Sequence, residues 1–426
     1  MTQRFNLDAL LILFISGISL GLGILMQSSP PSQILIWAGF AITWLICSFI
    51  FSFSLKTNLV FISLFFLRPY TLVFFAVLIL LIFGWIIENY KQSSRLAILP
   101  FPLFFIVLLG FGIYALTKTY VSGGSVYFAA TVIVPLVSFL LISNIQQIEE
   151  DLRVWTKSIA IIAFILAVYG VFVALMNPAE RIGSTWSNAM TINGFYTVGF
   201  FFALANAAKT EYRHYKMLWI GFAFIIFLGM VYTYTRIALV AVLFGLFIMI
   251  LRLKKIRLYA ITALALMTLF IPSSMAERIS MGMEIDLSII IRLIVWTKAI
   301  GMVLSHPFTG IGFSTWKDIY HGMVPSELLY AQHAHNLIIN LALEMGIIAA
   351  FAFLAIIIIT LRRYYKLVVK TADNSFHFIV MIAMLSLLVA CLTDIFIQQY
   401  QISILFWITL ALLFRETKHH RTETAS

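Results

Sequence analysis

The sequence predicts an all-α polytopic membrane protein with about 12–14 transmembrane helices. Of the 426 residues, 62% are hydrophobic and 11% are charged, and the mean hydropathy is +1.03. Soluble domains carry about 25% charged residues, so nearly the whole chain belongs in a bilayer. Apolar runs of about 18–25 residues recur from end to end, each long enough to cross a ~30 Å hydrocarbon core as a helix. A membrane barrel would instead show alternating segments of about ten residues. Basic clusters separate the runs, and this third observation orients them.

The first 90 residues predict three or four crossings, in segments 7–26, 33–54 and 57–88, with Arg68-Pro69 as a break. Segment 7–26 is followed by QSSPPSQ, which has no small-x-small cleavage pattern, and is expected to be a retained helix. The next spans are 97–116, 124–143, 153–176, 192–208, 217–234, 236–252 and 258–273. The last three are 335–361, 377–396 and 401–415. Lys91 with Arg95, Arg153 with Lys157, Lys209 to Lys216, Arg252 to Arg257, Arg362 to Lys370 and the tail from Arg415 all fall on one side. By the positive-inside rule that side is cytoplasmic, and the later helices then alternate consistently. The rule also accounts for the net charge of +11 without nucleic acid as a partner. Cys47 and Cys391 both lie in apolar segments and indicate neither a disulfide framework nor a metal site.

No soluble domain is expected: the chain reads as a single integral membrane domain over 1–426. One connection is exceptional, the loop of roughly 60 residues at 273–334. It holds an amphipathic piece, Leu287 to Leu304, and a turn-rich stretch, SHPFTGIGFSTW. It is too apolar for disorder, and long ordered loops tend to be functional.

Charges on the outer side run against the rule and are therefore informative: Arg181, Arg236, Arg278, Arg292, Lys298 and Lys317. Arg236 lies in VYTYTRIALVAVLFG, where two helices meet with almost no loop. An arginine at a helix centre costs about 2.5–3.5 kcal/mol on insertion scales. Snorkelling or pairing with an internal acid would accommodate it. The functional alternative is an anion site, because guanidinium presents a planar fork of donors to phosphate oxygens. There is no nucleotide-binding motif and no His/Cys metal spacing. That points to a lipid-borne phosphate or diphosphate, with no cofactor and no metal. The acids on the outer side, Glu180, Glu277, Glu284, Asp286, Asp318 and Glu327, are few and scattered. Two intramembrane acids, Glu344 and Asp394, read as helix-packing polar groups.

The stretch AQHAHNLIINLALEMGIIAA places His333, His335 and Asn336 at the mouth of an apolar run. The positive end of a helix dipole favours a neutral imidazole there, which can accept a proton. Read from the residues alone, the pair could equally be interfacial histidines bonded to backbone.

His335-Asn336, nine residues and Gly346 resemble the His-Asn-x9-Gly-x-x-Gly signature of the O-antigen ligase and polymerase superfamily, with Ala349 in place of the second glycine. TYTRIALVAVLFG, with Arg236, resembles that family's Thr-x-Thr/Ser-Arg helix start. RLIVWTKAIGMVLSHPFTGIGF resembles its Arg-x3-Trp-x2-Ala…Pro-x2-Gly-x-Gly loop through Arg292, Trp296, Ala299, Pro307, Gly310 and Gly312. ERIGSTWSNAMTINGFY, with Arg181, resembles the loop before its middle helices. The resemblance spans residues 150–415 in order. It implies a GT-C-type fold with a periplasmic loop at 273–334, in a multi-pass protein of the inner membrane whose site faces the periplasm. It further implies an undecaprenyl-diphosphate-linked glycan as donor and lipid A-core as acceptor. His335 would be the base. Arg236 and Arg292 would hold the diphosphate, and Arg181, Asn336, Trp296 and His333 would complete the substrate site. An O-antigen polymerase, a protein O-oligosaccharyltransferase and a flippase for the lipid-linked sugar are the alternatives. Polar residues gathered at the outer helix ends favour catalysis at one face over a transport path.

Overall fold

The computed structural model describes residues 55–67, 100–121, 123–145, 150–177, 181–186, 188–253, 261, 287–324, 331–370 and 375–423. The expected spans before residue 55 and at 258–273, most of 57–88, and Arg278 lie outside them.

Among the described residues every regular element is helical. In chain order these are α1 (Leu55–Leu64), α2 (Pro102–Thr117), α3 (Gly124–Asn144), α4 (Asp151–Met176), α5 (Ala189–Lys209), α6 (Arg213–Val231) and α7 (Arg236–Arg252). Then follow α8 (Leu287–Ser305), α9 (Trp316–Met323), α10 (Leu337–Met345), α11 (Ile347–Tyr364), α12 (Ser375–Ala390) and α13 (Tyr400–Glu423). Helix α11 continues through a π turn, so the apolar span runs Ile347–Val369. By length and composition α3, α4, α6 and the α11 span can each cross a membrane.

Helix α5 is the axis of the bundle, packed against α4, α6 and α12. Its Phe195, Tyr196, Phe200, Phe201 and Phe202 are buried. It can carry buried Asn193 and Asn206 because protein, not lipid, surrounds it: each donates to the carbonyl one turn back, and also to Thr233 and Thr156 respectively. Small residues let the backbones approach. A Cβ on Gly199 would stand 2.4 Å from the Ala163 Cβ, and one on Gly229 would stand 2.8 Å from the Ala167 Cβ. Large apolar side chains are instead exposed on the outside, including Leu103 and Ile106 on α2, Phe172 and Leu175 on α4, Phe247 and Leu251 on α7, and Phe351 and Ile358 on α11. Exposed apolar area on this scale marks a lipid-facing surface.

The contacts also sort the two ends of the bundle. Asn193, at the start of α5, donates to Thr233 between α6 and α7, and a Cβ on Gly194 would meet Phe396, just before α13, and Ile402 at its start. The α6–α7 and α12–α13 junctions therefore share one end. At the other end a buried ion pair joins Arg415 of α13 to Asp151 of α4, and Lys418 donates to the Ser143 carbonyl at the end of α3.

The expected span 335–361 is corrected by the structure. It is two helices, α10 and α11, broken at Gly346, and it begins at Leu337 rather than His335. Gly346 has φ 89° and ψ 164°, a region essentially confined to glycine. The break strands backbone groups that the turn-rich loop then satisfies: Ile311 N–H donates to the Leu343 carbonyl at 2.8 Å, Gly312 N–H to Glu344 at 3.2 Å, and Ile347 N–H to Pro307 at 2.8 Å. Gly310 and Gly312 are required by the same interlock. A Cβ on Gly310 would lie 2.4 Å from the Glu344 carbonyl oxygen, and both residues have positive φ. Lys118, just past α2, fastens the loop from outside through the Thr309 hydroxyl at 2.7 Å.

Candidate active site

His333 and His335 stand on the short segment leading into α10. His335 is in the left-handed region at φ 48°, a position non-glycine residues seldom occupy. Bonds on both sides hold it there. The Ala334 N–H donates to the Asn340 side-chain oxygen at 3.0 Å. Asn336 caps α10, accepting from the Ile338 and Ile339 N–H groups at 3.0 and 3.1 Å, while its amide donates to the Leu392 carbonyl at 2.8 Å. Leu337 N–H donates to Cys391 at 2.9 Å. The His-Asn pair is thus a helix cap pinned to the loop after α12.

That loop supplies the residue that sequence reasoning assigned to packing. Asp394, 61 positions from His333 along the chain, places its Oδ1 3.3 Å from His333 Nε2 and 3.8 Å from His335 Nδ1. It also accepts from Ile395 N–H at 2.8 Å. Burial alone would raise this carboxyl, but the two imidazoles beside it outweigh burial and hold it well below the usual carboxylate range. Asp394 is therefore an ionised partner of the histidines. The two rings lie 4.4 Å apart between centroids.

Behind the cluster runs a buried polar chain. Asn340 donates to Gln398 at 2.9 Å, and Gln398 donates to Glu344 at 2.9 Å. Glu344 is thus a hydrogen-bonded member of the wall behind His335, as a packing polar group should be. This chain joins the cap of α10 to its C-terminal break.

The threonine-arginine motif forms a second constellation. Tyr234 is left-handed at φ 55°, and the flanking Thr233 and Thr235 are buried. Thr233 donates to Met230 and receives Asn193. Arg181 donates from Nε to the Thr233 carbonyl and from Nη2 to the Thr235 hydroxyl, each at 3.2 Å. So Arg181 braces the turn that precedes Arg236, with Arg236 half-buried as the first residue of α7. Helix α7 packs on α12 with Gly245 against Ser386. Arg236 lies nine residues before that contact, about 13 Å along the axis, toward the end of the bundle where the α6–α7 and α12–α13 junctions lie. Arg292 and Trp296 sit one turn apart on α8, and α8 packs against α10. The structure therefore unites His333, His335 and Asp394 in one cluster, with Asn336 as the adjoining helix cap. It pairs Arg181 with the Arg236 turn and places Arg292 and Trp296 on the neighbouring helix. Lys298 on α8 is exposed.

Residues 221–354 match the family model described as O-antigen ligase. The chain carries an O-antigen ligase family domain. The domain takes in Arg236, Arg292, Trp296, His333, His335 and Gly346, while Arg181, Asp394 and Gln398 complete the site from outside it. The match supports a function of the O-antigen ligase/polymerase type in a membrane setting. No curated protein matches the chain.

Proposed function

We propose that the chain moves an undecaprenyl-diphosphate-linked O-antigen glycan onto lipid A-core at the periplasmic face of the inner membrane. On this reading it is one integral membrane domain of GT-C type, with 273–334 as its periplasmic loop, and it acts without a metal and inverts the anomeric centre. The observation that carries the proposal is His335 beside ionised Asp394 at the capped head of α10, inside the O-antigen ligase domain.

The Asp394 carboxylate, 3.8 Å from His335 Nδ1, attracts the imidazole proton electrostatically to that nitrogen, which leaves Nε2 to accept one. Nε2 takes the proton of the acceptor hydroxyl, whose oxygen attacks the anomeric carbon. The bond from that carbon to the diphosphate breaks, and charge develops on the leaving oxygens. Arg236, at the positive end of α7, and Arg292 take up that charge. One displacement at one carbon inverts it.

Two expected results belong to this mechanism. Arg236→Ala and Arg292→Ala should each lower transfer by on the order of 10²–10³-fold, the effect of losing one transition-state donor. Lysine at either position should restore it only in part, since the charge remains but the fork is lost. Wild-type use of the diphosphate-linked donor by the alanine variants would remove the arginines from the anion site. Transfer by purified protein should also persist in EDTA, because guanidinium groups replace the metal's electrostatic role. An activity lost to chelation and restored by magnesium would contradict the scheme.

The acceptor is tested in a strain lacking the chain. A ligase leaves lipid A-core bare while long glycans accumulate on the undecaprenyl carrier. A polymerase leaves lipid A-core bearing one repeat unit. Gel separation of lipopolysaccharide distinguishes the two, and a ladder collapsed to core plus one unit would replace the ligase by the polymerase.

A further inference from the structure

We propose that His333 Nε2, His335 Nδ1 and Asp394 Oδ1 form a binding site for a zinc-type transition-metal dication, and that an ion held there stops glycan transfer. The inhibitory half rests on His335 being the base, as proposed above. The binding half rests on geometry alone.

The three atoms come from two segments and lie within 4.8 Å of one another. A tetrahedral zinc bound at about 2.0–2.1 Å separates its ligand atoms by about 3.3 Å. The separations from Asp394 Oδ1 are 3.3 Å to His333 Nε2 and 3.8 Å to His335 Nδ1, and with all three atoms within 4.8 Å of one another rotation of the two partly exposed imidazoles closes the set around an ion. His335 Nδ1 is buried and makes no hydrogen bond among the described residues, so a lone pair can be turned toward the shared point. Two imidazoles and one carboxylate suit zinc and its transition-metal neighbours rather than magnesium, which demands oxygen ligands. Three protein ligands leave the fourth position open to water. Both histidines are partly exposed, at 21% and 22% of their side-chain area, which gives the ion a route in.

The inhibitory consequence follows from the tautomer. With the metal on Nδ1, the imidazole proton resides on Nε2. That nitrogen then has no lone pair to receive the acceptor's proton, and Asp394 is occupied as a ligand. The arrangement that favours a base in the empty cluster removes it in the filled one.

The test uses the full-length protein in detergent with zinc sulfate as probe. Calorimetry should show one zinc per chain and no binding of magnesium. His333→Gln and Asp394→Asn should each weaken zinc binding by at least about tenfold, and the two variants serve as independent checks should one fold poorly. Zinc affinity equal to wild type in folded samples of either variant would overturn the site. In wild-type protein, transfer should fall in step with zinc occupancy and return when EDTA is added. Full transfer at full occupancy would overturn the inhibition. Failure of the transferase reading itself would look different: no transfer in zinc-free protein, with zinc binding intact.

Discussion

His335→Ala should lower glycan transfer by about 10²–10⁴-fold, the range for loss of a positioned general base, while the protein still inserts and folds. The side chain is only partly buried, and alanine leaves untouched the backbone N–H bonds of Ala334 and Leu337 and the Asn336 side-chain cap that hold the segment. The left-handed φ of 48° is better tolerated by Asn and His than by alanine, so His335→Asn is the sterically milder companion. Both variants should be inactive at wild-type protein levels. His333→Ala should be the milder lesion, because its Nε2 bonds Asp394 without lying on the proton path. Near-normal transfer by His335→Asn would remove His335 from the chemistry. It would leave the cluster as a structural tie between the head of α10 and the loop after α12.

Periodicity and composition read the bundle well because lipid-crossing helices are written locally. The amphipathic piece Leu287 to Leu304 is α8, Leu287–Ser305, and the Thr-x-Thr-Arg stretch does begin a helix at Arg236. Two features escaped because they are long-range. Hydropathy runs unbroken through LALEMGIIAA, so the break at Gly346 is visible only once Pro307 and Gly310 are seen to occupy it. The available signal was the recurrence of glycine in both stretches, which meet face to face. Asp394 lies far along the chain in CLTDIFIQQY. Its role depends on α12 ending at Ala390, short of the expected end of the span at 396, so that Asp394 falls in the loop beyond the helix. Gln398, which joins Asn340 to Glu344, carries no local mark at all.

Gly346→Ala should cause the largest loss of folded protein of any single methyl addition at the site. Two independent costs coincide. The backbone at φ 89°, ψ 164° lies where side-chain-bearing residues pay about 1–3 kcal/mol. The added Cβ would also stand 2.5 Å from the Phe308 carbonyl oxygen and 2.6 Å from its carbon, and neither is the end of a flexible side chain. Relief requires the 307–312 loop to withdraw. That would strand the carbonyls of Leu343 and Glu344 and the N–H of Ile347, at about 1–3 kcal/mol for each buried group left unsatisfied. Gly301→Ala provides the contrast: that glycine is inside α8 with nothing within 4 Å of its would-be Cβ, so alanine there should be neutral or stabilising by about 0.4–1 kcal/mol. Thermal unfolding of the two variants in the same detergent measures the difference. Gly346→Ala should unfold at markedly lower temperature and lose transfer with it, since α10 carries the cap that sets His335 at one end and the interlock at the other. Wild-type unfolding of Gly346→Ala would show that the break and its loop do not hold the site together.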